Sequence, residues 1–235
     1  SSPVGALTGA SAWNYADEVQ YPFGYGLSYT TFQQKLDSVK VEDDQITATV
    51  TVTNTGDVAG KSVVQLYAQT PYGAYETEHK VEKSAIAIVG YGKTGLLAPG
   101  ASETVTVTVD KYLLASYDTT ANDGAGGYIL SEGSYYLAIG DDAHDALNNV
   151  LAAQGVTGMF DEEGNAVPGD AAKAQKATLT ETDNVTYAVS PQTGEVVSNL
   201  FEDRDINYFI PDTVTYLTRS DWNTFPETVT TLTAT

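Results

Sequence analysis

The sequence predicts an all-β protein: an antiparallel sandwich of roughly seven strands, with one short helix and extended flanking arms. Between residues 36 and 140, short segments alternate apolar with polar residues, which is the pattern of strands buried on one face. Turn-forming residues separate these segments at the spacing of roughly 8–12 residues that is typical of sandwiches. The composition agrees, because 16 of the 235 residues are Tyr, which favours strands.

The clearest strand lies at residues 46–53, where Ile46, Ala48, Val50 and Val52 alternate with four threonines. Further strands are expected at residues 39–41, 63–68 and 104–109. Residues 85–91 are the most apolar and therefore predict a central strand. The remaining predicted elements are turns at 54–57 and 97–100, a short turn of helix at 111–117, and a closing hairpin made of residues 128–130 and 135–139.

After Gly140 the period of the apolar residues becomes helical. Asp142 is a suitable N-cap and Gly155 a suitable C′ residue for a helix over 142–154. Another strand is predicted at 178–189. From residue 191 onward aromatic residues are scattered without a period, which predicts an arm whose rings need the sandwich or a neighbouring domain to cover them.

The charge balance restricts the partners. With 31 acidic and 11 basic residues, the net charge is −20, which repels phosphate backbones and anionic lipids. We therefore expect no nucleic-acid partner and no membrane partner. The chain has no cysteine, which excludes disulfides, zinc–thiolate sites and cysteine nucleophiles and fits a bacterial protein, cytoplasmic or extracellular.

Residues 21–32 combine aromatic, glycine and hydroxyl side chains with almost no charge and fit neither a helix nor a strand. Such a segment indicates a connector packed onto something large. It closely resembles the segment that precedes the fibronectin-III-like domain of glycoside hydrolase family 3, the β-glucosidase family. The stretches at 51–67, 89–100 and 133–140 also resemble that domain, so the resemblance covers residues 21–140. The Cys–Trp–Cys signature of antibody domains is missing, which favours the fibronectin-III-like variant of the immunoglobulin fold.

The resemblance implies a parent enzyme that hydrolyses terminal β-glucosides with retention. Residues 200–203 and 216–222 resemble the linker of circularly permuted members, in which the catalytic barrel follows this domain. We therefore expect a fragment with three parts: a connector from a missing upstream domain (1–35), a fibronectin-III-like sandwich with a short helix (36–155), and an arm toward a missing downstream domain (156–235). Its expected role is non-catalytic bracing of the catalytic domains. The alternatives are a secreted sandwich for adhesion or self-assembly through exposed edge strands, and a carbohydrate-binding module.

No residue is predicted to be catalytic, to bind a cofactor or to bind a metal. Ser220-Asp221-Trp222 matches the family's nucleophile motif, but no barrel strand leads into it, so Asp221 is expected to lie in a turn or a helix cap. His79 and His144 lack a nucleophile motif. The aspartates at 141, 142, 145 and 161 do not have the spacing of a calcium loop, and Asn184 begins a glycosylation sequon.

The polar excursion from Tyr72 to Lys83 is the best candidate for an indirect role. It carries Tyr72, Tyr75 and His79, which could reach the mouth of the active site in a complete enzyme. The alternative is a solvated hairpin without a functional contact.

Overall fold

The computed structural model describes residues 19–219, with the exception of residues 43 and 162. The described strands are β1 (Phe32–Val41), β2 (Gln45–Asn54), β3 (Val63–Gln69), β4 (Ala87–Lys93), β5 (Ser102–Asp110), β6 (Ser116–Asp118), β7 (Gly127–Ile129), β8 (Gly133–Gly140) and β9 (Ala174–Leu179). The described α-helices are α1 (Ala74–His79), α2 (Ala143–Ala153) and α3 (Ile206–Phe209). None of these helices is long and apolar enough to cross a bilayer.

Two antiparallel sheets form the sandwich, which confirms the predicted fold class. The first sheet has the order β1-β2-β5 and the second has the order β4-β3-β8-β9, while β6 and β7 make a separate two-stranded ribbon. The alternation in β2 is realised as predicted: Ile46, Ala48, Val50 and Val52 are fully buried. Hydroxyls line the other face of this sheet, where Thr53 bonds to Ser102 across the strands at 2.7 Å.

The two central strands of the second sheet, β3 and β8, are largely buried on both faces. One face meets the first sheet, and α2 packs against the other through Ala146, Leu147 and Val150. The predicted helix ends are confirmed, because the Asp142 carboxylate accepts a bond from the Asp145 amide at 2.9 Å and Gly155 adopts a φ of 71°.

Several details of the topology differ from the sequence predictions. Strand β4 lies at the edge of its sheet and not at its centre, and Ile88 and Tyr91 are exposed. The apolar content of a segment does not specify which strands neighbour it. Residues 127–129 pair with β6 and not with β8. The strand predicted at 178–189 is wrong for most of its length: β9 spans Ala174–Leu179 and pairs with β8, whereas residues 180–189 hold only the isolated bridges of Asp183 and Val189. The second sheet therefore includes residues beyond the predicted boundary at 155. The excursion contains the helix α1, so the described residues hold more than one short helix.

Strand β4 approaches the first sheet closely at a glycine. A methyl group at Gly90 would overlap the side chain of Val109 and lie 3.0 Å from Cγ1 of Val107, both on β5. The absence of a side chain therefore lets the edges of the two sheets close on each other.

We expect Gly90→Ala to destabilise the protein by about 1–3 kcal/mol, because the added methyl overpacks the closed edge. Urea unfolding measures this loss. Gly95→Ala is the matched control, since its methyl would meet only the flexible end of Glu103, at 3.3 Å. Equal stability of the two variants would contradict the proposed close contact.

Candidate functional site

The excursion, residues 72–83, is an ordered segment held by buried polar contacts. Tyr75 and His79 lie one helical turn apart on α1, and their rings stack with centroids 4.1 Å apart at an interplanar angle of 9°. The Tyr75 hydroxyl donates to Oδ2 of Asp118 at 2.7 Å, and Nδ1 of His79 lies 3.4 Å from the same oxygen. Two of the three predicted residues therefore meet at one carboxylate of strand β6.

Asp118 is fully buried and its second oxygen is also engaged. Oδ1 accepts bonds from both the amide and the hydroxyl of Thr120, each at 2.7 Å. Burial acts to raise the pKa of Asp118, but the hydrogen bonds from Tyr75 and Thr120 outweigh it and hold the pKa below its usual value. The carboxylate therefore stays ionised and ties α1 to β6 in the interior.

A buried ion pair joins the end of the excursion, at Lys83, to Glu76 of α1. Nζ of Lys83 lies 2.7 Å from Oε1 of Glu76, and the two side chains are only 4% and 2% exposed. The ammonium also donates to the carbonyl of Pro71 and to Oγ of Ser131, both at 2.9 Å, so each of its three hydrogens has an acceptor. The second oxygen of Glu76 accepts the Gly73 amide at 2.8 Å.

The charge on Glu76 is stabilised by these donors. Burial acts to raise the pKa of Glu76, but hydrogen bonds from Lys83, Ser131 and the Gly73 amide lower it below the ordinary value. Ser131 lies two residues before Gly133, where strand β8 of the second sheet begins. The Glu76–Lys83 pair therefore joins the excursion to the sandwich. Tyr72, the third predicted residue, lies apart from this network and contacts Glu82, with its hydroxyl 3.3 Å from each carboxylate oxygen.

The connector forms a second candidate surface, which we call the aromatic strap (residues 21–29). Its large side chains point into solvent: Tyr21, Phe23, Tyr25, Leu27 and Tyr29 are 69%, 67%, 47%, 89% and 101% exposed. The rings of Tyr21 and Tyr25 contact each other with centroids 5.2 Å apart.

The backbone of the strap, in contrast, is bonded to the domain. The Phe23 carbonyl accepts the Ala143 amide at 2.8 Å, at the start of α2. The side-chain nitrogen Nε2 of Gln65 donates to the carbonyl of Gly24 at 3.0 Å and to that of Asp141 at 2.9 Å. The strap is therefore held at its backbone while its rings are left uncovered.

The other predicted candidates take local roles. Asp142 caps α2, and the Asp141 amide donates to Asp145 at 3.0 Å. His144 lines a cleft of about 450 Å³ with neighbours that include Asp161, and Asn184 is exposed. No group of three or more His, Asp or Glu side chains in residues 19–219, as far as they are described, is arranged to hold a metal ion. Asp221 and its motif lie outside the described residues.

Sequence reasoning missed the residues that organise the excursion. Glu76, Lys83 and Asp118 carry no motif, and each resembles an ordinary surface charge in the sequence. The one available signal was that Glu76 and Lys83, of opposite charge, lie seven residues apart in a segment that follows Pro71. This spacing does not distinguish an ion pair from two solvated charges.

Comparisons with known proteins agree with this architecture. The sequence profile of the fibronectin type III-like domain matches residues 62–143. The matched region is a fibronectin type III-like domain. Over 144 residues the chain is 40% identical to β-glucosidase A of Butyrivibrio fibrisolvens, covering 55% of this chain and 17% of that protein. It is 38% identical over 131 residues to a β-glucosidase of Ruminococcus albus, covering 55% of this chain and 13% of that protein.

Solved structures give the same result. A β-glucosidase of Paenibacillus barengoltzii superposes with a TM-score of 0.50 at 33% identity, covering 71% of this chain and 16% of the other. β-Glucosidase 3B of Thermotoga neapolitana, in complex with glucose, superposes with a TM-score of 0.50 at 26% identity, covering 70% of this chain and 18% of the other. The resemblance to the fibronectin-III-like region of family 3 β-glucosidases is thus confirmed, and this chain spans less than a fifth of the length of these relatives.

Glu76→Gln should destabilise the protein at pH 7 by about 3–5 kcal/mol, because it leaves the Lys83 ammonium buried without a counter-ion. The double variant Glu76→Gln/Lys83→Met should recover most of the loss. The folded pKa of Glu76 is lowered, so its stabilising contribution is complete above the unfolded pKa, about 4.3, and is lost as the pH falls through the folded value.

Urea unfolding at pH 7 and pH 3 checks both points. The difference between the native sequence and Glu76→Gln should be smaller at pH 3. Glu132→Gln, at an exposed position, is the control and should change stability by less than about 0.5 kcal/mol. A loss that is the same at both pH values would refute the ionised state of Glu76.

Gly24→Ala should release the strap. Gly24 has a φ of 87°, and an added methyl would overlap Oε1 of Gln65 and the hydroxyl of Tyr67. We expect a loss of about 1–3 kcal/mol and faster hydrogen exchange at the Ala143 amide, whose acceptor is the Phe23 carbonyl. Gly26→Ala is the matched control, because no atom lies within 4 Å of the position that its added methyl would take; similar exchange in both variants would contradict the anchoring.

Proposed function

We propose that this chain is a non-catalytic structural part of a family 3 β-glucosidase and braces the catalytic domains of that enzyme. The bracing contacts are made by the aromatic strap and by the arm that begins at residue 191. The observation that supports this proposal best is the contrast within the strap between a bonded backbone and five exposed large side chains.

Exposed rings on a fixed backbone favour a rigid partner surface. Clusters of large exposed apolar side chains in soluble proteins usually mark an interaction site. Because the strap backbone is already ordered, docking orders only the side chains and loses less conformational entropy than docking of a free linker.

The arm offers a second surface of the same kind. Its exposed apolar residues are Val196, Leu200, Phe201, Ile206, Tyr208, Phe209, Ile210, Val214, Tyr216 and Leu217. The sandwich and the excursion leave between 42% and 78% of the surface of each of these residues exposed. Of the two partners that the sequence left open for the arm's rings, a neighbouring domain is therefore the one we propose.

The length of the relatives supports a separation between this structural part and the catalytic domains. The β-glucosidases of Butyrivibrio and Ruminococcus contain much more chain than the matched region, which is 17% and 13% of their lengths. In our proposal, domains outside this chain carry out the retaining hydrolysis of terminal β-glucosides. The catalytic barrel follows residue 235, in the circularly permuted order.

The prediction that Tyr72, Tyr75 and His79 reach the mouth of the active site stays a prediction.

The proposal is tested in the complete protein encoded by the gene. The strap variant Tyr21→Ser/Phe23→Ser/Tyr25→Ser should lower the temperature at which β-glucosidase activity is lost by several degrees, because it removes an interface between domains. The same substitutions should leave the melting temperature of the isolated chain nearly unchanged, since these rings contact little of it.

The control is Tyr91→Ser, which removes a 74% exposed tyrosine on the edge strand β4. An unchanged inactivation temperature in the strap variant would overturn the bracing role. Hydrolysis of an aryl β-glucoside by the isolated chain would overturn the non-catalytic assignment. A concentration-dependent oligomer in size-exclusion chromatography would favour self-assembly, and binding of cello-oligosaccharides would favour a carbohydrate-binding module.

A further inference from the structure

The end of the arm returns to the excursion and binds a single carboxylate. The hydroxyl of Thr218 donates to Oε1 of Glu82 at 2.6 Å, and the amide of Arg219 donates to Oε2 at 3.2 Å. These contacts join positions that are 136 and 137 residues apart in the sequence. Both carboxylate oxygens of Glu82 therefore hold the same short stretch of the arm.

The side chain of Arg219 makes two further contacts with the excursion. Its guanidinium carbon lies 4.3 Å from the centroid of the Tyr72 ring, within the range of a cation–π interaction. Its Nη1 donates to the carbonyl of Lys83 at 3.0 Å. Because Tyr72 also contacts Glu82, the ring, the carboxylate and the guanidinium form one connected group.

This group is connected to the core of the domain. Lys83, whose carbonyl accepts the guanidinium, is itself fixed by the buried pair with Glu76 and by Ser131. The position of Arg219 is thus set through a short series of contacts that ends in the sandwich.

The arm is also bonded at its beginning. The Asn199 amide donates to the carbonyl of Ala125 at 3.0 Å. Between the two attachments the arm bonds to itself, since Asn207 exchanges hydrogen bonds with the backbone of Val214 at 2.7 and 2.8 Å and Tyr216 donates to Asp205. Residues 200–217 are therefore a folded segment held at both ends.

We propose that Tyr72, Glu82 and Arg219 form a latch that closes the arm onto the domain, and that Arg219 is the positioning residue of this latch. The latch fixes the position of Arg219, the last described residue of the arm. The inference refines the arm's part in the proposed bracing function, but closure of the latch is measured on this chain alone. Failure of the latch and failure of the bracing role are therefore distinguishable.

Limited trypsin digestion tests the latch, because trypsin cuts after arginine only when the side chain is free to enter the protease. The bond after Arg204 is the internal reference, since that side chain is on the same arm and 74% exposed. In the native sequence the ratio of cleavage after Arg219 to cleavage after Arg204, followed by mass spectrometry of the first products, is the baseline for the variants, because the aspartates on both sides of Arg204 also slow trypsin at that bond.

Two variants open the latch from the excursion side and leave the cleavage site intact. Tyr72→Leu removes the ring under the guanidinium, and Glu82→Ala removes the acceptor of Thr218 and of the Arg219 amide. Each should raise the ratio of cleavage after Arg219 to cleavage after Arg204 by about tenfold, because proteolysis follows the population of the open form. Tyr72→Phe keeps the ring and should stay near the native ratio.

The controls are Tyr91→Leu and Glu132→Ala, which remove an exposed ring and an exposed carboxylate elsewhere. They should leave the ratio unchanged. Thermal unfolding followed by circular dichroism shows whether each variant is folded. A folded Tyr72→Leu and a folded Glu82→Ala with the native ratio would show that these residues do not hold Arg219.

Discussion

The burial of β3 and β8, the central strands of the second sheet, on both faces is the constraint on which the other features of this domain depend. Strands β3 and β8 lie between the interior of the sandwich and an outer cover made of α2 and the strap. Tyr67 shows the consequence: it is fully buried on the outer face, burial raises its pKa to about 12, and its hydroxyl bonds to Gln65 at 2.7 Å. Gln65 in turn holds the backbone of the strap. The strap backbone is thus part of the fold, although its rings take no part in the core.

The excursion is joined to the same sheet by charges and not by apolar packing. A buried ion pair contributes little net stability, because desolvation of both charges offsets most of their attraction. Its directional contacts nevertheless fix the Lys83 ammonium, which donates to the Pro71 carbonyl, the Glu76 carboxylate and the Ser131 hydroxyl. This geometry explains why the excursion, which resembles a solvated hairpin in the sequence, is ordered. Its order in turn positions Tyr72 and Glu82 for their contacts with the arm.

The features predicted correctly from the sequence are those encoded by local periodicity. The alternation in β2 and the caps of α2 depend on neighbouring residues along the chain, so both could be inferred from the residues themselves. The edge position of β4, the pairing of β7 with β6 and the contacts of Asp118 depend on residues distant in the sequence, and a single sequence does not record such partners. The helix α1 was missed for a related reason. Its six residues, with a glycine N-cap, are too few to show a helical period, and tertiary contacts of Tyr75 and Glu76 stabilise it.

A brace differs from a flexible linker in the state of its backbone before it meets a partner. In this chain both segments are already bonded to the domain through backbone groups: the carbonyls of Phe23 and Gly24 in the strap, and the amides of Asn199 and Arg219 in the arm. The apolar side chains are what remain for a partner, and the high negative charge, −20 over 235 residues, opposes their non-specific association with other copies. A surface of ordered, uncovered rings on a strongly charged domain fits a partner that is held nearby, such as another domain of the same polypeptide, because a high effective concentration offsets the repulsion that a free partner of the same sign would meet.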